Sequence, residues 1–405
     1  MTAPLEGVRV VELATVVAAP GVARYLADYG ADVIKVEAPA GDPTRRMGWI
    51  GEDETDSYFF KLVNRNKRSV VMDLKSAAGK AQFRTLLENA DVLIENMRPG
   101  KLASLGFAPD DLLKRNPALV ILQVSGFGQD GPYALHPGFA TIAEALSGLS
   151  DLMGEADGAP LLPPIALTDE VTALAGAFSV MAALRHAERT GVGQVIDVNL
   201  LTTMFQIMGP LPSAYAHMGY LQPRLGAGIP YTVPRGTYRC ADGVWVAISS
   251  SSDTVAARVL DLVGLTGDAR FATFQGRSRN REALEAAVGA WVGGRTSSDV
   301  MTEFRRVDAA IARVLNMKDI FEDAHFRERE MIVDVDGVKM QSLVARLSRT
   351  PGSLRHAGRP LDADGPELRA AFDAGLAVWQ PRPGSGGSPL PRPKRRPAGR
   401  TRAKG

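Results

Sequence analysis

Short apolar runs alternate with amphipathic stretches through the first 130 residues of the chain. Runs typical of buried strands lie at 8–13, 32–36, 92–95 and 120–124. Stretches with helical periodicity lie at 20–29 and 76–89, the first with Pro20 near its start and Gly30 as its stop. Because strands that alternate with helices form parallel sheets covered by helices, this pattern predicts a doubly wound, Rossmann-like α/β domain.

A long and nearly uncharged helix is predicted for residues 168–187. An apolar stripe runs along it, formed by Leu174, Phe178, Met181 and Leu184. We expect this stripe to be buried as part of the core. A strand near 195–198 and one continuous helical stretch over 199–218 should follow.

Turn signals predict two β-hairpins further along the chain, around Asp242 with Gly243 and around Asp336 with Gly337. Together with the pattern before them, they define the domains that we expect. These are a large α/β domain at 1–200, a linker helix at 201–225, a small α+β domain at 226–330, a segment at 331–380 that returns to the large domain, and a tail at 381–405.

The tail has its own composition. Residues 381–405 contain eight basic residues, no acid, six prolines and five glycines, so the rest of the chain carries 2 − 8 = −6 of the net charge of +2. Such a segment cannot bury a core, and we expect it to be disordered. It could attach to nucleic acid or a membrane, or only aid solubility. Nucleic acid is the weaker partner, since no aromatic residue offers a stacking surface.

The remaining composition is that of an ordinary globular protein, with 45% hydrophobic and 23% charged residues. The chain has one cysteine and starts without a signal-peptide pattern, so we expect a cytoplasmic location. The longest apolar run, at 173–184, is too short to span a bilayer, and we expect no membrane partner.

The sequence does not contain the residue patterns of several common cofactor, metal and hydrolase sites. No G-x-G-x-x-G follows the first strand, which argues against a nicotinamide or flavin site, and no phosphate-binding P-loop is present. The five histidines have no metal-ligand spacing, so we expect no metal. There is no G-x-S-x-G motif, and Cys240 in a predicted strand is better explained as a core residue than as a nucleophile.

Two acids, Asp169 and Glu170, stand at the start of the long helix in the stretch ALTDEVTALAGAF. Acids are favoured there because the first N–H groups are unpaired and the helix dipole is positive, so both could simply start the helix. A carboxylate at such a position can also attack a carbonyl carbon if a cleft lies in front of it. The residues alone leave both interpretations open.

Further stretches match the signatures of a known family over about residues 4–365. They are PLEGVRVVEL at 4–13, APG at 19–21, GADVIKVE at 30–37, NRNKRSVVMDLK at 64–75, IENMRPG at 94–100, SGFGQDGP at 125–132 and TDEVTALAGAF at 168–178. The chain resembles the class III coenzyme A transferases, which include formyl-CoA and carnitine CoA-transferases and the related α-methylacyl-CoA racemases.

The resemblance implies roles for particular residues. Asp169 would be the nucleophile that forms an aspartyl anhydride and then an aspartyl-CoA thioester, with Glu170 a supporting acid. CoA would be a substrate rather than a tightly held cofactor, bound near Val16, Lys75 and Arg98. Further basic contacts of the family are replaced here by Ala38, Ser104 and Pro137, and Lys101 would substitute for part of them.

Other positions separate the branches of the family. Racemases have a histidine and a glutamate where this chain has Phe139 and Ser252, which favours the transferase branch. Many transferases have an acid and a glutamine where this chain has Ala140 and Glu144. Glu144 could repel anionic acceptors, relay a proton, or be a solvated helix residue.

Two further segments, one with glycines and one with serines, each allow two interpretations. Gly226 and Gly228 could form a mobile loop over the active site or a domain hinge. The serine run at 249–252 could cap the next helix or bind the distal carboxylate of an acyl group.

The resemblance also implies an intertwined homodimer and small dicarboxylates, such as succinate, as substrates. The sequence therefore predicts an acyl-CoA:carboxylate CoA-transferase. A racemase-like enzyme and a non-catalytic CoA-binding protein of the same fold are the alternatives.

Overall fold

The computed structural model describes residues 3–250, 252–376, 378 and 379. The predicted basic tail lies outside these residues. The chain forms two compact units. The first contains the described residues up to Ala143, Ile165–Met204 and those from Met331 onward, and the second contains Glu144–Pro164 and Phe205–Glu330.

A six-stranded parallel sheet lies at the centre of the first unit. Its strands are β1 (Arg9–Leu13), β2 (Asp32–Glu37), β3 (Arg68–Val71), β4 (Val92–Glu95), β5 (Val120–Ser125) and β6 (Val195–Asn199). They lie in the order β3-β2-β1-β4-β5-β6. This is the order of a doubly wound fold, in which the direction of winding reverses between β1 and β4. The predicted α/β class is confirmed.

The helices are short except for one. Those up to residue 218 are α1 (Ala18–Asp28), a 3₁₀ turn (Pro43–Arg46), α2 (Tyr58–Val63), α3 (Ala77–Glu88), α4 (Lys101–Ser104), α5 (Pro109–Arg115), α6 (Ala140–Leu146), α7 (Leu149–Leu152), α8 (Leu167–Thr190), α9 (Leu200–Gln206) and α10 (Leu211–Met218). The later helices are α11 (Asp253–Leu262), α12 (Phe274–Arg279), α13 (Arg281–Gly293), α14 (Ser297–Arg306), α15 (Met317–Glu322), α16 (Ala324–Glu328) and α17 (Gly365–Asp373). The continuous helix expected over 199–218 is wrong, since α9 ends at Gln206, Gly209 has a positive φ of 59°, and Pro210 is the N-cap of a new helix.

Successive strand residues point to opposite sides of the parallel sheet, and in its central strands β1 and β4 both sides are buried. Val10 and Ile94 pack on one side with α1 and α8, while Val11 and Leu93 pack on the other with α3. This explains why the strands consist of continuous apolar runs.

Helix α8 packs on α1 through small residues. A Cβ at Gly21 would lie 2.7 Å from the Ala173 Cβ, and one at Gly176 would lie 2.6 Å from a methyl of Val22, so only glycine fits at this contact. The expected burial of the large apolar stripe is wrong for three of its four members. Leu174, Phe178 and Met181 are 45%, 76% and 40% exposed, and Leu184 is buried.

Helix α8 also extends beyond the sheet. By length and composition it would suffice to cross a membrane, but it packs against α1, β5 and β6 as a core helix. Its 24 residues span about 36 Å, whereas a five-residue strand spans about 17 Å. Because only residues 191–194 join its end to β6, its first turn lies beyond the carboxyl edge of the sheet.

The second unit contains an antiparallel sheet of β7 (Arg235–Arg239), β8 (Trp245–Ser249) and β9 (Ala310–Arg313). The hairpin predicted around Asp242 is confirmed. One face of this sheet packs on α11, α13 and α14 through Val246, Ile248 and neighbouring apolar residues.

The hairpin predicted around Asp336 and Gly337 is also confirmed. It joins β10 (Ile332–Val335) to β11 (Val338–Gln341) in the first unit. Both turn residues have positive φ, 52° and 79°, as a type I′ turn requires.

Candidate active site

The loops that follow β1 and β4 are tied together where the sheet reverses its winding. The Thr15 N–H donates to Asn96 Oδ1 at 3.1 Å, and Asn96 Nδ2 donates to the Thr15 carbonyl at 2.7 Å. In doubly wound folds, ligands bind outside the carboxyl ends of the strands at this point. The geometry therefore marks the residues after β1 and β4 as a binding crevice.

Val16, a predicted CoA contact, lies in this crevice in an unusual conformation. Its φ is +70°, which a β-branched residue rarely adopts and which costs on the order of 1–3 kcal/mol. Its N–H donates to Asp42 Oδ1 at 3.3 Å. Backbone strain of this kind is typical of positions where a loop must take one shape for a ligand.

Asp42 belongs to a buried network of ion pairs with Lys35, Glu12 and Lys67. Lys35 Nζ lies 2.7 Å from Glu12 and 2.8 Å from Asp42, and Lys67 Nζ lies 2.7 Å from Glu12. Burial alone would lower the pKa of Lys35, but the carboxylates of Glu12 and Asp42 outweigh burial and raise it. Burial lowers the pKa of Lys67 to about 8, although Glu12 opposes the change. The network fixes the base of the Val16 loop.

The three basic residues predicted to contact CoA, Lys75, Arg98 and Lys101, are exposed and follow strands at the carboxyl edge of the parallel sheet. Arg98 follows β4, Lys101 begins α4, and the Lys101 N–H donates to the Arg98 carbonyl at 2.9 Å. Lys75 follows β3, three strand positions from β4, which is roughly 14 Å across the sheet. Within the described part of the chain, none of these side chains forms an ion pair. The structure thus groups Val16, Arg98 and Lys101 and leaves Lys75 at a distance.

Asp169 lies in the first turn of α8, beyond the edge of the sheet, and is half-buried. The N-cap is Ala166, whose methyl group cannot accept a hydrogen bond, so Asp169 is the third helical residue rather than the cap. The dipole of a 24-residue helix favours negative charge at this end. A carboxylate is therefore presented in a position suited to attack on a carbonyl carbon.

Its neighbour Glu170 has a different environment. Arg24 donates to its carboxylate at 2.8 Å, and the Tyr25 hydroxyl donates to the same oxygen at 2.9 Å. Burial raises the pKa of Tyr25 to about 12, with Arg24 opposing and Glu170 reinforcing the shift. The Glu170 carboxylate holds α8 to α1, which fits the supporting role expected for it.

The remaining candidates belong to the second unit. Glu144 is 3% exposed, so the interpretation as a solvated helix residue is wrong, and its possible relay role stays a prediction. Gly226 has a φ of 59°, and its N–H donates to the Gly154 carbonyl at 3.0 Å. Gly228 follows in the same loop, beside the Arg281 side chain. Whether this loop moves as a lid or a hinge also stays a prediction.

Ser252 of the serine run and Cys240 have structural roles. Ser252 accepts a hydrogen bond from the Val255 N–H at 3.3 Å and caps α11, as one of the two interpretations predicted. Ser249 is the last residue of β8, and Ser251 lies outside the described residues. Cys240 is 4% exposed in the core of the second unit, and burial raises its pKa, so it is a core residue.

Sequence reasoning missed Asn96 and Asp42, which shape the crevice without belonging to a catalytic pattern. Asn96 directly follows the fourth strand and Asp42 lies in the loop after the second, which was the available signal, because the loops at the strand ends form the ligand edge of such sheets.

Comparison with known sequences shows which family the chain belongs to. The sequence model of CoA-transferase family III matches residues 5–364. The succinyl-CoA--L-malate CoA-transferase alpha subunit of Chloroflexus aurantiacus is 36% identical over 88% of this chain and 86% of its own length. The succinyl-CoA--D-citramalate CoA-transferase of the same species is 34% identical over 90% of this chain and 93% of its own length.

A solved structure gives the same result. A CaiB/BaiF family protein from Brucella suis superposes with a TM-score of 0.82 at 33% identity, covering 92% of this chain and 100% of that one. The chain belongs to CoA-transferase family III. It is a CoA-transferase, an enzyme whose substrates are an acyl-CoA and a carboxylic acid.

Proposed function

We propose that this enzyme moves CoA from an acyl-CoA thioester to a free carboxylic acid through covalent intermediates on Asp169. The observation that carries the proposal is the place of Asp169 in the first turn of the long helix α8, at the ligand edge of the parallel sheet. The neighbouring Glu170 accepts hydrogen bonds from Arg24 and Tyr25 and joins α8 to α1.

The reaction begins when a carboxylate oxygen of Asp169 attacks the thioester carbonyl. The C–S bond breaks, CoA leaves as a thiolate, and an aspartyl–acyl anhydride forms. The thiolate then attacks the aspartyl carbonyl, which releases the donor acid as a carboxylate and leaves an aspartyl-CoA thioester. An acceptor carboxylate reverses these two steps, takes CoA away as the new acyl-CoA and regenerates Asp169.

CoA binding would use the crevice after β1 and β4. Val16 would contact the CoA chain through the backbone that its positive φ presents, and Arg98 and Lys101, which form no ion pair with another described residue, would bind phosphate groups. Lys75 would reach a more distant part of the same extended molecule.

Small dicarboxylates are the acids that we propose as substrates. The relatives from Chloroflexus aurantiacus are named for succinyl-CoA with L-malate and with D-citramalate, which are all short dicarboxylic compounds. Succinyl-CoA is therefore the first donor to test.

We also propose that the enzyme works as a homodimer. Leu174, Phe178 and Met181 lie on an exposed side of α8, where burying large apolar side chains against a second copy would stabilise the assembly. Sedimentation at several protein concentrations would show a dimer, and a monomer at micromolar concentration would contradict this part of the proposal.

Covalent labelling tests the mechanism. The protein is mixed with succinyl-CoA without an acceptor, and intact and peptide masses are measured. We expect a succinyl or CoA adduct on the peptide containing Asp169. An adduct on another residue, or no adduct despite CoA binding, would refute the assignment.

A further inference from the structure

The outer face of the antiparallel sheet in the second unit is an open trough. In paired strands, directly opposite residues project from the same face, so Arg235, Ser249 and Ala310 form one row across the sheet. Thr237, Ala247 and Ala312 form the next row on that face, about 7 Å further along the strands. A cavity of about 390 Å³ lies over these residues, with Ala227 of the glycine loop at its side.

The trough has one charged end and a floor of small side chains. Of the ten described residues that line it, Arg235 alone carries a charge, and Ser249 opposite offers a hydroxyl. An outer sheet face that meets only water usually carries larger polar residues, whereas the alanines at 247, 310 and 312 leave room above the backbone. The volume falls in the range of small-molecule sites.

The Arg235 side chain is not engaged by another side chain among the described residues. Among the described residues, its guanidinium makes no hydrogen bond or ion pair, and no carboxylate lines the cavity. A guanidinium presents a planar pair of N–H donors that fits a carboxylate in a bidentate manner. An unpaired guanidinium beside an apolar floor is complementary to a short carbon chain that ends in a carboxylate.

We propose that this trough binds a short dicarboxylic acid through one of its carboxylates, with Arg235 as the anion-binding residue and Ser249 as a second donor. The alanine floor would contact the carbon chain. This assignment deepens the proposed CoA-transferase reaction and rests on it for its kinetic consequences. It makes Arg235 a residue that selects dicarboxylates over monocarboxylates.

Kinetics with matched acceptors provide the test. Glutarate and pentanoate have five carbons each and differ by one carboxylate, and both are assayed at a saturating concentration of succinyl-CoA. For Arg235→Gln we expect the KM for glutarate to rise about 10- to 100-fold, as loss of a charged hydrogen bond predicts, with pentanoate turnover unchanged. Arg235→Lys should restore part of the glutarate affinity, because it keeps the charge and loses the bidentate geometry.

Arg239→Gln is the matched control. Arg239 lies two residues further along β7, on the same face but outside the cavity lining, so its loss should leave glutarate kinetics as in the wild type. Equal losses for glutarate and pentanoate in Arg235→Gln, or an unchanged KM for glutarate, would overturn the proposal.

A direct measurement separates this proposal from the catalytic one. Glutarate binding to the full-length protein without CoA is followed by ligand-observed NMR for the wild type and Arg235→Gln. Binding by the wild type that is lost in Arg235→Gln supports the trough even if no CoA transfer is detected. Absence of binding to the wild type, or equal binding to both proteins, rejects it even if transfer occurs.

Discussion

The parallel sheet of the first unit buries both faces of its central strands, whereas the antiparallel sheet of the second unit buries one face and leaves the other open. In the first, apolar side chains on both faces form the core, Glu12 and Lys35 form a buried ion pair, and the groups that shape the crevice lie after the strands, at Val16, Asp42 and Asn96. In the second, the open face itself carries Arg235 and Ser249 above small residues. A sheet covered by helices can bind ligands only at its edge, while a half-covered sheet can also use a face.

The largest effect should follow from removing the carboxylate at the edge of the parallel sheet. Asp169→Ala should lower CoA transfer by at least roughly 1,000-fold, since the nucleophile is lost. Transfer is measured by mass detection of the new acyl-CoA, with CoA binding and the urea unfolding curve as controls. Activity within tenfold of the wild type would place the chemistry elsewhere.

The next effect concerns a buried charge at a strand end. Glu37 closes β2, and Arg45 donates to it at 2.7 and 2.9 Å. Glu37→Gln should cost about 3–5 kcal/mol in the free energy of unfolding, because the buried Arg45 loses its main partner. A cost below about 1 kcal/mol would show that Asp56, the second partner of Arg45, suffices alone.

This pair also predicts a dependence on pH. Burial alone would raise the pKa of Glu37, but the hydrogen bonds and charge of Arg45, with the charge of Lys35, hold it below its ordinary value of 4.5. A lowered folded-state pKa gives stability that is present above pH 4.5 and is lost as pH falls below it. The stability difference between the wild type and Glu37→Gln should therefore shrink with acidification, which urea unfolding at a series of pH values would show.

A core substitution tests the claim that both faces of the parallel sheet are packed. Ile94 in β4 is fully buried, and Ile94→Ala should cost about 2–5 kcal/mol by leaving a cavity between the sheet and α1. Unfolding by urea provides the measurement. A cost under about 1 kcal/mol would mean that this face collapses around the loss.

A smaller effect is expected where α8 meets α1. Glu170→Gln should cost about 1–3 kcal/mol, since Arg24 is 7% exposed at its side chain and loses a charged acceptor. CoA transfer should fall less than tenfold, in contrast to Asp169→Ala. Loss of transfer equal to that of Asp169→Ala would make Glu170 part of the chemistry.

The smallest effect should occur on the open face of the antiparallel sheet. Ala312 is exposed there, so Ala312→Leu should change the free energy of unfolding by less than about 0.5 kcal/mol. If the trough binds dicarboxylates, the same substitution should weaken glutarate binding by filling the floor. A large loss of stability would show that the face is packed rather than open.

The sequence by itself determined the class of fold, the positions of most strands in the first 200 residues, the helices α1, α3 and α8, and both hairpins. These features depend on local periodicity and on turn residues such as Gly337, whose positive φ is a property of the short segment around it. It also singled out Asp169 and Glu170 together, because a helix start is visible in the chain.

Only the tertiary structure showed that Glu170 contacts α1, since Arg24 and Tyr25 lie 146 and 145 residues away from it in the sequence. It also decided which side of α8 is buried, because the small residues that face α1 are selected by a neighbouring helix rather than by hydrophobicity alone. The proposed role of Arg235 also depends on the tertiary structure. The trough depends on which residues face each other across three strands, and β9 comes from a part of the chain some 60 residues away from β8.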